Sequence, residues 1–243
     1  MSTRGTDSQF DAEAVNDSLA VEHPIDEYYA RSALPIRLVE RRRLSAIRDF
    51  MGDVAGLEVA EIGVGGGHVL RMFPAARLTA VDISHLQLKV AKKNLAGYDV
   101  RFIHGDASTI DLPAASFDRV ICSEVLEHVV DPDSVLAGIA RLLQPAGIAV
   151  LTIPNDPLIL RLKETVRRTP ARRVLGDRIE WGGDDYHLHR WSPSDFERLV
   201  QPHLRVVERR MVPMAMVPLR ACFKCVPRAR RVAPESAIRS PRD

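Results

Sequence analysis

The 243-residue sequence predicts an α/β domain built on a mostly parallel sheet, and three observations carry that expectation. A short apolar run, Val59-Ala60-Glu61-Ile62, stops abruptly in Gly63, Gly65, Gly66 and Gly67. Two further β-rich runs, Leu78-Thr79-Ala80-Val81-Asp82 and Val100-Arg101-Phe102-Ile103-His104, follow with room for a helix between them. Each strand also leads into polar chemistry, Asp82 in one case and Gly105-Asp106 in the other, at the edge where parallel sheets bind ligands.

Composition sets the limits. At 46% hydrophobic residues the chain can fill the core of one α/β domain with some decoration, and two large domains would not fit comfortably. Lys+Arg 34 nearly balances Asp+Glu 32, so the net charge of +2 gives no reason to expect nucleic acid as a partner. No apolar run approaches the roughly 20 residues of a membrane span. The polar stretch Met1 to Asp17 lacks a signal-peptide core, and a cytoplasmic protein is expected. Three cysteines make no disulfide framework: Cys122 reads as core, and the Cys222-x-x-Cys225 pair lacks the two further ligands of a structural zinc site.

In chain order, residues 1–20 are polar and aperiodic and read as a flexible start. Ile36, Leu38, Val39, Leu44, Ile47 and Phe50 recur at helical spacing in an expected N-terminal helical cap over 21–54, with Glu40-Arg41-Arg42-Arg43 read as a solvated face. Tyr28 and Tyr29 are candidates to fold over a ligand. After the glycines a short helix spans His68 to Phe73 and ends at Pro74, and another spans Leu86 to Leu95. Phe117 to Cys122 is the fourth strand and Ile148 to Ile153 the fifth. Leu204 to Val212 alternates as a sixth, whereas Met214 to Val226 is apolar but broken by Pro218 and reads as irregular.

The glycine spacing decides between two ligand classes. A dinucleotide turn, G-x-G-x-x-G, needs a glycine at 68 or 70, where His68 and Leu70 stand, so a nucleotide-dependent oxidoreductase is disfavoured. The pattern Glu61-x-Gly63-x-Gly65-x-Gly67, with Asp82, Gly105-Asp106-Ala107 and the turn Leu143-Gln144-Pro145-Ala146-Gly147, resembles the class I S-adenosylmethionine (SAM)-dependent methyltransferases. Residues 57–154 carry the resemblance, which is to the small-molecule type and is similar to the quinone-pathway O-methyltransferase group. Gln144 and Ala146 depart from the family's turn. The resemblance implies a Rossmann-like fold, with a mostly parallel seven-stranded sheet, helices on both faces and an antiparallel last strand. It also implies cofactor contacts from Glu61, Gly63, Gly65, Gly67, Asp82, Ile83, Asp106, Ala107 and Ser123, with Asp82 accepting ribose hydroxyls and Asp106 the adenine amino group.

The acceptor side is read from Ser123-Glu124-Val125-Leu126-Glu127-His128. If this segment starts a helix, Glu124, Glu127 and His128 share one face and form a plausible divalent-cation site, Mg²⁺ or Mn²⁺, with His187 as a later contributor. The segment Asp184 to Phe196 resembles one that returns a histidine over the active site in such enzymes, which matches His187; Ser192 reads as a helix N-cap with Pro193 after it. In the metal-free alternative His128 or His187 is the catalytic general base. His189 reads as a surface residue.

A basic insertion, 155–190, carries Arg161, Lys163, Arg167, Arg168, Arg172, Arg173 and Arg178; it is read first as a lid, with a surface for anionic lipid or a contact for an acidic carrier or nucleic acid as open alternatives. Residues 191–227 complete the single domain of 21–227, and 228–243 is a basic tail expected to be disordered. The expected activity is SAM-dependent methylation of a small-molecule hydroxyl, with C- or N-methylation or a non-catalytic SAM-binding domain as alternatives. The oligomeric state is not legible.

Overall fold

The computed structural model describes Asp17, residues 34–169 and residues 187–228. Seven strands form one sheet in the order β3-β2-β1-β4-β5-β7-β6. They are β1 Glu58–Ile62, β2 Arg77–Asp82, β3 Val100–His104, β4 Phe117–Ser123, β5 Leu143–Pro154, β6 Leu204–Met214 and β7 Val217–Pro227. The first five pair in parallel, and β7 runs antiparallel to both β5 and β6. This is the Rossmann-like order that the resemblance implies. It leaves the C-terminal ends of β1, β2, β3 and β4 side by side.

Helices cover both faces. On one, α1 Leu34–Met51 and α2 His85–Asn94 pack Ile47, Phe50, Leu88 and Ala91 against Val59, Leu78, Ile121 and Val150. On the other, α3 Pro132–Leu142 and α5 Pro193–Val200 pack Leu136, Ile139 and Phe196 against Ile62, Val120, Leu151 and Phe223. Burying such side chains contributes about 1.5–3 kcal/mol each, which is why the apolar stripes dictate the layers. Local signals set the boundaries. Ser84 accepts from the Gln87 N–H and opens α2, Asp131 with Pro132 opens α3, and Ser192 forms a full capping box with Asp195 at α5. α4 Asp156–Arg167 follows β5 directly.

Three expectations need correction, and α1, the expected N-terminal helix, which packs across β5, β7 and β6, carries the first. Within it Glu40 and Arg43 are 6% and 5% exposed, so only Arg41 and Arg42 of that charged run form a solvated face. The short helix after the glycines shrinks to one 3₁₀ turn, Leu70–Met72. The stretch read as broken is one continuous strand, with register slips in its pairing to β6, because Pro218 sits opposite Pro213 at the β6–β7 hairpin, where pairing with β5 has already ended. Cys222 and Cys225 are both buried and free but lie in the cores of opposite sheet faces, which removes the C-x-x-C metal reading; burial pushes both thiols up to about 12. The turn with the departures Gln144 and Ala146 is absorbed into β5 as an irregularity in its pairing with β4. Gly147 is indispensable there, since a Cβ would sit 2.9 Å from the Gln144 carbonyl oxygen.

Tyr28, Tyr29, residues 170–186 of the insertion, Asp184, Asp185, Tyr186 and the tail beyond Arg228 lie outside the described residues. No described helix is long and apolar enough to cross a membrane.

Candidate active site

The glycine turn is shaped by backbone that a side chain cannot enter. Gly63, Gly65 and Gly67 have φ of +74°, +50° and +81°. The Gly63 and Val64 N–H groups donate to the Val81 carbonyl, tying the turn to β2. A Cβ on Gly63 would meet Val125 Cγ2 at 2.3 Å. Asp82 braces the same turn: Oδ2 accepts from the Gly65 N–H at 2.8 Å and Oδ1 from the Ser84 N–H at 2.9 Å. Each oxygen keeps a second lone pair for a ligand hydroxyl. Burial raises the Asp82 carboxyl above its ordinary range, against the pull of those N–H groups. Asp17 reaches the site as well, accepting from Ser84 Oγ.

Next along the edge, Ile83 is half-buried and its carbonyl meets His104 Nε2 at 2.7 Å. Asp106 Oδ1 accepts from both the N–H and the hydroxyl of Ser108 at 2.7 Å, with half-buried Ala107 between them. Glu61 lies below the turn, 2% exposed, and its Oε2 has no hydrogen-bond partner. Burial holds its carboxyl well above the usual carboxylate range, although Arg43 beside it pulls the other way.

At the end of β4 the expected helix does not form. Glu124 takes φ +57°, which turns the chain, and only Leu126–His128 makes a 3₁₀ turn. Glu124 therefore stands outside the cluster of Glu127 and His128 and is held in a polar chain, with its charge still acting on the Glu127 carboxyl. Arg43 Nη1 donates to Ser123 Oγ, Ser123 lies 2.9 Å from Thr152 Oγ1, and Thr152 donates to Glu124 Oε1 at 3.0 Å. Because Thr152 already donates onward, the Ser123 hydroxyl is the donor between the two. Arg220 of β7 closes the chain with an ion pair to Glu124 Oε2 at 2.7 Å.

The second cluster joins Glu127, His128 and His187, each offering one ligand atom within 4.8 Å of the others. The two rings meet edge to face at 4.8 Å. His187 is brought in by its neighbours: the Leu188 and His189 N–H groups both donate to the Glu127 carbonyl, at 2.8 and 3.2 Å. His189 is half-buried, with its Nε2 meeting the Val129 carbonyl at 3.0 Å and its ring stacked on Trp191. Glu127 is 1% exposed with Oε2 unpartnered, and burial, then Glu124, pushes its carboxyl well above the ordinary range.

That shift has a sign. A carboxyl whose folded-state pKa is raised binds its proton more tightly when folded, so its contribution to stability is complete below the ordinary carboxylate range and is lost as pH rises through the raised value. Glu127→Gln is therefore expected to stabilise the ligand-free protein by about 1–3 kcal/mol at about pH 8 and to change little at about pH 4. Thermal melts of the two proteins across that range check it, and parallel curves at all pH values would contradict it.

Sequence reasoning missed Arg43, Thr152, Asp156 and Arg220. Thr152 and Arg220 were detectable as polar residues inside otherwise apolar strand runs, and Asp156 as an acid at the end of the fifth strand.

Comparison with known proteins agrees with the fold. Residues 60–151 match the family model described as a methyltransferase domain. A ubiquinone biosynthesis O-methyltransferase of Xanthomonas oryzae pv. oryzae is 36% identical over 128 residues, 51% of this chain and 48% of that protein. The mitochondrial ubiquinone biosynthesis O-methyltransferase of Schizosaccharomyces pombe is 36% identical over 129 residues, 47% of this chain and 46% of its own. The chain thus spans about half the length of the curated relatives it matches. Magnesium protoporphyrin IX methyltransferase from Synechocystis PCC 6803, solved with bound SAH, superposes with a TM-score of 0.64 at 15% identity, over 90% of this chain and 100% of that one, and so shares the fold.

Proposed function

Because residues 60–151 are a methyltransferase domain, we propose that this chain transfers a methyl group from SAM to a hydroxyl of a small-molecule acceptor. One observation supports the reading above the others: Glu127, whose buried Oε2 has no hydrogen-bond partner, converges with His128 and His187 at the end of β4, beside the glycine turn. The residues fit the donor. Gly63 lets Val125 pack directly on the backbone of the turn, which keeps the turn at positive φ beside the end of β4, and the orphaned Glu61 Oε2 suits an ammonium group in contact or through water. Asp82 would accept the ribose hydroxyls and Asp106 the adenine amino group, with Gly65, Gly67, Ile83, Ala107 and Ser123 lining the same edge. When bound, SAM supplies an electrophilic methyl group on a sulfonium. The chain's own contribution is to align the acceptor hydroxyl with that methyl group and to take its proton on His128 or His187.

A divalent cation on Glu127, His128 and His187 is the second reading, supported by the mixed oxygen and nitrogen donors within 4.8 Å of one another. Glu124 would not contribute while paired with Arg220. Incubation with SAM and a panel of phenolic acceptors is expected to release S-adenosylhomocysteine together with an O-methylated product. Absence of a saturable calorimetric signal with millimolar SAM would defeat the proposal. Dialysis against a chelator separates the two versions: activity that vanishes and returns with Mg²⁺ or Mn²⁺ supports the cation, and activity that survives supports a histidine base.

A further inference from the structure

We infer that Asp156 is a positioning residue that fixes His187 as the Nδ1–H tautomer and so aims its Nε2 lone pair at the Glu127–His128 side of the site. The contact is direct, with His187 Nδ1 2.8 Å from Asp156 Oδ2. Both side chains are withdrawn from water, with 10% and 1% exposure. A carboxylate accepts and does not donate, so the nitrogen facing it carries the proton, and the other ring nitrogen is left as the acceptor.

The contact is built from two sides, which separates it from a chance surface pair. Asp156 opens α4 directly after Asn155, and Asn155 is clamped to β7: its backbone N–H donates to the Leu219 carbonyl at 3.0 Å and its Nδ2 to the Pro218 carbonyl at 2.9 Å. His187 arrives 31 residues later, held by the two N–H bonds from Leu188 and His189 to the Glu127 carbonyl. Neither anchor depends on the Asp156–His187 bond. Two independently fixed segments therefore meet where the imidazole can turn only one nitrogen to Asp156. The second Asp156 oxygen, Oδ1, is buried with no hydrogen-bond partner, which is an unfavourable placement for an acid serving only as a helix start.

The inference rests on the reading of this site as a methyl-transfer centre only for its kinetic consequence. A fixed tautomer serves His187 equally as proton acceptor or as ligand through Nε2, and partners of this kind typically change affinity or rate by about 10–100-fold when removed. Its main test needs neither SAM nor acceptor. The full chain, labelled with ¹⁵N-histidine, is examined by long-range ¹H–¹⁵N NMR at about pH 8, above the ordinary imidazole range, with His187→Gln used to assign the signals. The wild-type protein is expected to show His187 as Nδ1–H with an unprotonated Nε2. In Asp156→Asn, whose amide can accept from or donate to Nδ1, the ring is expected to lose that single tautomer while the other histidine signals stay in place; Asp156→Glu is expected to restore it in part. In turnover, Asp156→Asn is expected to lower kcat at least tenfold with KM changed less than threefold. A wild-type His187 protonated on Nε2, or a tautomer unchanged in folded Asp156→Asn, would overturn the inference, and the wild-type spectrum decides alone if the variants do not fold. A preserved tautomer effect with no methyl transfer to any acceptor would instead count against the proposed activity and leave the positioning role standing.

Discussion

Gly63→Ala is expected to remove saturable SAM binding and to lower the stability of the ligand-free protein by about 3 kcal/mol. Two separate terms add. The residue sits at φ +74°, where a side chain costs about 1–2 kcal/mol, and the new methyl group would lie 2.3 Å from Val125 Cγ2 and must displace it. Overpacking of this kind costs about 1–3 kcal/mol. The displacement also has a direction that matters. Val125 immediately precedes the turn Leu126–His128, so pushing it moves Glu127 and His128 together with the glycine turn. Adding Val125→Ala to Gly63→Ala is expected to recover the overpacking part and not the φ part. Chemical denaturation of the single and double variants measures the two terms, and calorimetry with SAM measures the binding loss. A Gly63→Ala protein that binds SAM within threefold of wild type would show that the ligand does not approach this backbone.

Much of the donor side was legible because its residues answer to local rules. Gly63, Gly65 and Gly67 are needed for positive φ, Asp82 ends a β-rich run, and Ser192 with Pro193 announces a helix; each is a statement about a few neighbouring residues. The acceptor side answers to long-range geometry. Glu124, Glu127 and His128 have the spacing of one helical face, but a positive φ at Glu124 defeats that spacing, and no residue nearby signals it. The partner that holds Glu124 there, Arg220, stands 96 residues later on a strand obscured by Pro218. His187 was found through its surrounding segment, whereas Asp156 was passed over because its role exists only once His187 lies against it. The charged run in α1 misled for a related reason. Glu40 and Arg43 satisfy each other across one turn, and a pair that neutralises itself can be buried where four consecutive charges cannot.

That buried pair carries the second large effect. Arg43→Met is expected to destabilise the protein by about 3–5 kcal/mol at neutral pH, because it strips a buried cation from the acids around it. Arg43 contacts Glu40 Oε2 through both Nε and Nη2, at 3.0 and 2.8 Å, and its charge is the largest of the influences opposing the burial of Glu61. It also starts the directed chain through Ser123 and Thr152 to Glu124, so its loss leaves the Ser123 hydroxyl without its cationic donor. The Glu61 share depends on pH in a definite sense. In the wild type the Glu61 carboxyl is already raised, so it destabilises the fold as pH climbs from the ordinary carboxylate range through that raised value. Without Arg43 the folded-state value rises further. The gap between variant and wild type should therefore widen with pH across this interval and narrow on acidification, when Glu61 is protonated in both. The double variant Glu40→Gln, Arg43→Met removes the stranded Glu40 charge and is expected to recover at least 1 kcal/mol relative to Arg43→Met alone. Denaturation midpoints of the three proteins at about pH 5 and about pH 8 provide the measurement. A loss that is the same at both pH values, with no recovery in the double variant, would mean that Arg43 stabilises the fold only through the packing of its methylene stem.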